Sequence, residues 1–342
     1  MSLRIAVLRG GRSSEHEVSM ASAEAVIAAL DVGPHEPIAV TIDRESGLWQ
    51  RDGTAVQLAP NGNGRPQLRS GQHSEPIDLV FPVLHGPFGE DGTVQGTCET
   101  AGAPYVGAGV AASAVAMDKG MFKVFMNGIG LDTAKHELVI HREWQQRPKR
   151  VADRVGESIG FPCFSKPARL GSSVGISRVG EKSELADALD LAFAHDSRVL
   201  VETAIVGREI EVGVLGNDEL VVSPVGEITY AADWYDYSTK YEPDQMSLVV
   251  PAEIPADSAS RAREAAAAAF KAIDCAGMAR VDFFLEPSGR VLISELNTIP
   301  GFTPTSVYAR LMEAGGMAYD ALIERLVQLG LERAEAASAY RC

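Results

Sequence analysis

The stretch from Arg280 to Ser306, RVDFFLEPSGRVLISELNTIPGFTPTS, constrains this chain more than any other. Val281–Leu285 and Val291–Leu296 are rich in β-branched, aromatic and leucine side chains, and Glu286-Pro287-Ser288-Gly289 lies between them. That pattern predicts a β-hairpin closed by a four-residue turn. Side chains alternate across a strand, so Arg280 and Asp282 share one face and Glu295 and Asn297 share another. Closure by a four-residue turn makes these the same face. Oxygen donors from Asp282, Glu295 and Asn297 then converge beside the Arg280 guanidinium. Hard divalent cations such as Mg²⁺ take such a set, completed by phosphate and water. A solvated polar face would also carry an Asp–Arg pair. Here, however, the opposite face (Val281, Phe283, Leu285, Leu292, Leu296) is apolar and the polar groups crowd one end.

Upstream, Leu3–Leu8 reads as a short strand running into Gly10-Gly11-Arg12-Ser13-Ser14 and a helix with Val18, Ala21, Ala25, Ala29 and Leu30 at helical spacing. Ser14-x-x-Glu17 has the form of a capping box, which gives Glu17 a structural role. Glu15 has no such explanation, and it sits at a strand-to-helix turn, where open α/β sheets place ligands. The GxGxxG dinucleotide fingerprint is absent. Pro60–Gln67 is turn-rich and predicts a surface loop. Asp78–Leu84 is a buried strand ending at His85-Gly86-Pro87-Phe88-Gly89-Glu90-Asp91-Gly92, and Glu90 and Asp91 predict N-terminal capping of a helix over Thr93–Thr100. Residues 1–115 are expected to form a Rossmann-like α/β unit.

A second unit is expected over 116–222, opened by Met117-Asp118-Lys119. Phe161–Pro167, which carries Lys166, is a strand followed by the loop Ala168–Gly175 and a further strand, Ile176–Val179. A Gly/Ser loop with Ser172 and Ser173 at its centre can offer backbone N–H and hydroxyl donors to phosphate, and a plain hairpin tip is the competing reading. It is not a Walker loop, since Gly-Lys-Ser/Thr is missing and a strand follows. Lys166 supplies a point charge suited to phosphate. Val199–Ile205 is a strand whose Glu202 would be costly to bury without a polar partner. The third unit, 223–342, contains the aromatic and charged segment Trp234–Asp244, an Ala-rich helix Asp257–Ile273 and the hairpin. An amphipathic helix follows over Met317–Leu329, with Leu322, Leu326 and Leu329 inward, and then a frayed tail from Glu332.

Arg-x-Asp on one strand, Glu-x-Asn on the next and then Thr-x-Pro-Gly-x-Thr resemble the metal-binding end of the ATP-grasp fold. From Val7 to about Leu329 the motifs follow the order of the D-alanine–D-alanine ligase family. The resemblance implies an α/β chain with an ATP-grasp fold preceded by the Rossmann-like domain. It implies ATP-dependent joining of two D-alanines through an acyl phosphate, for peptidoglycan synthesis, with two Mg²⁺ or Mn²⁺ at Asp282, Glu295 and Asn297. A cytoplasmic homodimer is the expected state. By the same resemblance Glu15 orients the ammonium group of the first D-alanine, and His85 lies near its carboxylate. Lys119, Lys166 and the loop at Ser172 and Ser173 hold the phosphates. Glu202, Thr203 and Ile205 hold adenine, and Glu209 takes the ribose hydroxyls. Lys240 and Tyr241 belong to a lid that latches through Ser172 to Glu15. Arg280 and the Gly301 N–H stabilise an oxyanion, and Ser306 hydrogen-bonds a carboxylate. One position departs from the family pattern: Thr203 stands where lysine usually follows the adenine-binding glutamate, which bears on nucleotide affinity.

A formal charge of −15 argues against nucleic acid or an anionic membrane as the main partner, so an anionic ligand must be met by a local cluster of Lys and Arg. Cys98, Cys163, Cys275 and Cys342 lack the spacing of a zinc site or a disulfide framework, and no apolar run is long enough to span a bilayer. Three alternatives remain at this stage. Another ATP-grasp ligase or carboxylase would share the metal site but need not share Glu15, the Tyr-Asp-Tyr segment and Ser306 together. A D-lactate or D-serine ligase would differ in its second substrate. A regulatory ATP-binding module would have no need to keep both metal carboxylates and both lysines.

Overall fold

In the computed structural model, which describes residues 2–60, 65–230 and 246–340, the strand Arg4–Gly10 is buried on both faces. It lies between two parallel neighbours, Glu36–Ile42 and Leu79–Pro82. Strands sandwiched this way read as continuous apolar runs. Ile5 and Val7 pack on the helix His16–Val32, while Ala6 and Leu8 face a second cluster with Val94 and Cys98 of the helix Thr93–Thr100. The short strands Trp49–Arg51 and Thr54–Ala55 extend this sheet, and Gln57–Pro60, Pro66–Ser70 and His73–Pro76 form a separate three-stranded one. Two strands therefore flank the region expected as a plain loop. The Ser14–Glu17 capping box does not form. The helix begins at His16 without a side-chain cap, and Glu17 turns outward towards Arg44 at 3.6 Å. The Ser19 side chain ties the first turn of the sheet together instead, accepting from Gly10 N–H at 2.8 Å and donating to the Val83 carbonyl.

The middle of the chain forms an antiparallel four-stranded sheet, ordered Ser177–Val179, Cys163–Pro167, Arg198–Thr203, His136–Ile140. Cys163, Val199 and Val201 turn into a core with helices Pro148–Ser158 and Leu185–Phe193. Phe164 pairs with Glu202 and Lys166 with Leu200, so these four share the other face.

The six-stranded sheet runs Met246–Val249, Gly226–Tyr230, Arg208–Gly216, Gly277–Leu285, Val291–Asn297, with Leu220–Val222 paired to Arg208–Gly216. It therefore crosses the division expected at 222, just as the helix Val110–Met117 crosses the one at 115. One face packs on the Ala-rich helix Ala256–Ala272 through Ala262, Ala266, Ala269 and Phe270, because alanine lets helix and sheet approach closely. The final helix, Tyr319–Ser338, lays Leu322, Leu326 and Leu329 back on the first sheet beside Ile5 and Phe81. It continues to Ser338, so the tail expected to fray from Glu332 is helical over most of its length. Gly277, at φ +74°, touches Gly107; a Cβ there would lie 2.8 Å from the Gly107 Cα.

Candidate active site

The hairpin delivers the expected polar face by a different route. Its turn is Glu286–Gly289, with Gly289 at φ +82°, and the ladder starts at Leu285–Val291. Ile293 pairs with Phe283 on the core side, yet Glu295 pairs with Asp282, because Ser294 is an extra residue in a β-bulge. Strict alternation would have put Ile293 and Glu295 on one side. The bulge lets Ile293 fill the core while Glu295 and Asn297 join Asp282 and Arg280. Leu292, expected on the apolar face, pairs with Phe284 on the other one.

Arg280 holds Asp282 through two bonds, Nε to Oδ1 at 2.8 Å and Nη2 to Oδ2 at 2.7 Å, and meets Glu211 at 2.9 Å. Burial works against its charge, but Asp282 and Glu211 outweigh it and hold the guanidinium protonated. Asn297 donates Nδ2 to Asp282 at 3.0 Å, which leaves its side-chain oxygen outside that bond. Glu209 and Glu211, opposite Phe284 and Asp282, line the same face. Among the described residues no three His, Cys, Asp or Glu side chains are grouped as a metal cage. Two carboxylates and one amide oxygen, beside a lysine that would meet phosphate, nonetheless fit a cation that completes its shell with phosphate oxygens and water.

Packed on this sheet through Phe122 and Met126 is the helix Lys119–Gly128, started by the Asp118 side chain accepting from Met121 N–H at 3.0 Å. Lys119 Nζ lies 3.2 Å from Glu295 and donates to the Leu170 carbonyl at 2.9 Å, so it joins that carboxylate to the Gly/Ser loop. In that loop Ser172 and Ser173 both take left-handed backbone, at φ +55° and +58°. Two successive non-glycine residues in that region are unusual and concentrate where a ligand is gripped. Lys166 donates to Glu202, and Lys123 lies 3.1 Å from the other oxygen of that carboxylate. Burial alone would push Glu202 up, but Lys123 and Lys166 hold it at about 2. Thr203 gives its N–H to Lys135 at 2.9 Å, and Ile205 is half-buried in the loop that follows.

The N-terminal unit closes the third side. Glu15 sits where a Cβ on Gly86 would be 2.8 Å, and one on Gly171 3.1 Å, from its Oε2, so it occupies the seam between the first sheet's loop and the phosphate-type loop. His85 is buried, with Nδ1 2.9 Å from the Ile299 carbonyl and Nε2 3.2 Å from Ser22 Oγ. A carbonyl can only accept, so Nδ1 carries the proton, and burial lowers the imidazole's affinity for a second one. Ser22 Oγ also accepts from Phe302 N–H at 3.2 Å, which anchors the loop containing Gly301. Ser306 accepts from Thr303 N–H at 3.0 Å and lies next to Gly301. Asp91 caps as expected, accepting from Thr93 N–H at 3.0 Å, but Glu90 does not. It turns inward, accepting from Gly86 N–H at 2.8 Å and Ile299 N–H at 3.2 Å, and burial followed by the charge of Glu15 raises it to about 8. Lys240, Tyr241 and the rest of the expected lid lie outside the described residues. Three side chains that the fold brings here were not singled out in the sequence, Ser22, Lys123 and Glu211, and a fourth, Glu90, was expected only as a helix cap. Two had a readable signal, Glu211 by sharing a strand face with Glu209, and Lys123 by standing one helical turn from Lys119.

Family models described as D-ala D-ala ligase N-terminus and D-ala D-ala ligase C-terminus match residues 4–108 and 125–328. The chain belongs to the D-alanine–D-alanine ligase family. A D-alanine–D-alanine ligase of Deinococcus radiodurans is 48% identical over 339 residues, covering 97% of this chain and 99% of that protein. One from Geobacillus kaustophilus is 44% identical over 352 residues, covering 97% and 96%. Among solved structures, the VanG D-Ala:D-Ser ligase from Enterococcus faecalis has TM-score 0.86 at 36% identity, covering 96% of this chain and all of that one. The D-alanine–D-alanine ligase from Coxiella burnetii has the same TM-score at 32% identity, covering 99% and 96%. These ligases have the ATP-grasp fold, as expected from the hairpin and the phosphate-type loop.

Proposed function

We propose that this protein joins two molecules of D-alanine at the expense of ATP, giving D-alanyl-D-alanine, ADP and phosphate for peptidoglycan synthesis. The observation that carries the reading is the convergence of the Arg280–Asp282–Glu295–Asn297 face with Lys119, the Ser172 loop and Glu15. Lys119, Lys166, Ser172 and Ser173 hold the triphosphate; Glu202, Thr203 and Ile205 hold adenine, and Glu209 the ribose. Asp282, Glu295 and Asn297 would hold two Mg²⁺ or Mn²⁺, which neutralise the phosphate charge. Glu15 orients the ammonium of the first D-alanine, whose carboxylate oxygen attacks the γ-phosphorus in line as the bond to ADP breaks. The His85 ring, engaged at both nitrogens, positions the adjoining loop near that carboxylate. The neutral amine of the second D-alanine then attacks the acyl carbon, and phosphate departs with the C–O bonding pair.

Arg280, fixed by two carboxylates, and the Gly301 N–H stabilise the oxyanion of that step, each donor contributing about 3 kcal/mol. Ser306 binds a substrate carboxylate. Lys240 and Tyr241 close over the site, with Tyr241 latched to Ser172 and Glu15 to exclude water. No helix of the described residues is long and apolar enough to cross a membrane. From the family resemblance, we propose a cytoplasmic homodimer. The test is incubation of the pure protein with ATP, Mg²⁺ and D-alanine, alone and with D-serine, D-lactate or L-amino acids, following phosphate and product mass. D-alanyl-D-alanine as the main product is expected. A mixed D-alanyl-D-serine product or a depsipeptide would overturn the choice of second substrate, and no phosphate release would overturn the ligase reading.

A further inference from the structure

Lys123 has no place in the proposed reaction, yet it is only 1% exposed. Burying an ammonium is costly, and a helix does so only where a partner compensates it. Its partner is one oxygen of Glu202, at 3.1 Å, while Lys166 holds the other. One buried carboxylate thus carries two ammonium groups, one from the helix Lys119–Gly128 and one from the strand Cys163–Pro167. Lys119 and Lys123 stand one turn apart on that helix, so the same face serves Glu295 and Glu202. The two cations on Glu202 differ in setting. Lys123 is sealed in the core, whereas the Lys166 side chain keeps 14% of its surface exposed. A carboxylate with two cations can release one and remain compensated. A carboxylate with one cannot.

We propose that Lys123 is a positioning residue for the nucleotide: it keeps Glu202 compensated while Lys166 passes from Glu202 to the phosphates. The proposal rests on the reading of Lys166 as a phosphate ligand. Without Lys123, drawing Lys166 away would leave Glu202 buried and bare, so Lys166 would be held back and nucleotide would bind weakly. The residues proposed to meet D-alanine (Glu15, Arg280, Gly301 and Ser306) lie outside the four-stranded sheet that carries Lys166 and Glu202 and would not be touched.

The test uses the full chain and Mg·ADP binding by calorimetry, with KM for ATP and for D-alanine measured alongside. Lys123→Met is expected to weaken ADP and raise KM for ATP by about ten-fold, the scale of a coupled neighbouring pair, with KM for D-alanine unchanged. Adding Glu202→Gln to Lys123→Met removes the charge that needs compensation. The double variant should therefore bind ADP as tightly as Glu202→Gln alone. That comparison also serves where Lys123→Met by itself does not fold, since exchanging both charged partners is better tolerated than removing one. Wild-type ADP affinity in folded Lys123→Met, equal losses for ATP and D-alanine, or a double variant weaker than Glu202→Gln would each overturn the proposal. Lys166→Met separates the two claims. It should weaken ADP, and if it does not, the phosphate reading fails first; if it does while Lys123→Met binds normally, only the hand-over fails.

Discussion

Raising the pH should loosen the junction between the first sheet and the Thr298–Phe302 loop through one carboxyl, Glu90. That group is buried where it accepts N–H bonds from Gly86 and Ile299, one on each side of the junction. Burial, and then the neighbouring charge of Glu15, move it from an ordinary 4.5 to about 8. The folded chain therefore binds the proton more tightly than the unfolded chain. The stabilisation is complete below about 4.5 and is withdrawn as pH rises, until it is spent above about 8. In that window each pH step costs about 1.4 kcal/mol, so the interval from pH 6 to pH 8 removes roughly 2–3 kcal/mol. For a chain of this size the melting temperature should fall by about 3–4 °C over that interval from this group alone.

The assay is thermal unfolding of wild type and Glu90→Gln at half-unit pH steps from 5.5 to about 9, without ligands, because other groups also titrate and only the difference between the curves isolates Glu90. The wild-type curve should descend relative to the variant between pH 6 and about 8 and run parallel above it. Gln cannot accept both N–H bonds as a carboxyl does, so a constant offset between the proteins is expected and carries no information. Curves parallel throughout the range would refute the reasoning. They would mean that Glu90 is ionised in the folded chain despite its burial and Glu15.

Two further substitutions test the site. Glu295→Gln keeps the shape of the bulged strand but halves its carboxylate set; turnover should fall at least about a hundred-fold while the melting temperature holds, and turnover within a few-fold of wild type with unchanged Mg²⁺ dependence would remove Glu295 from the metal site. Gly86→Ala puts a Cβ at φ +74°, 2.8 Å from the Glu15 oxygen, so it should raise KM for the first D-alanine more than KM for ATP, read by initial rates under saturation of the other substrate; equal effects on both would mean that Glu15 does not face the amino acid.

The sequence made the ends of the site legible and hid its middle, for a physical reason. Arg280, Asp282, Glu295 and Asn297 could be read because period-two alternation is local, and the polar residues stand out against an apolar strand. Even so, the bulge at Ser294 was invisible. An unpaired residue changes the register without changing composition, and only the need to bury Ile293 against Phe283 decides it. Leu292 was misassigned for that reason. Glu90 shows a second limit. Beside Asp91 and before a helix it has every local mark of a cap, and Asp91 does cap. What turns Glu90 inward is Ile299, 209 residues away, which needs an acceptor for its N–H. Lys123 shows a third. On a helix with Met121, Val124 and Phe125 exposed, a lysine at the buried position looks like a misfit until Glu202 is placed beneath it. The carboxylates proposed to hold the metal announce themselves by spacing. The groups that hold them ionised or neutral are chosen by partners distant in sequence, and they become visible only when the sheets are brought face to face.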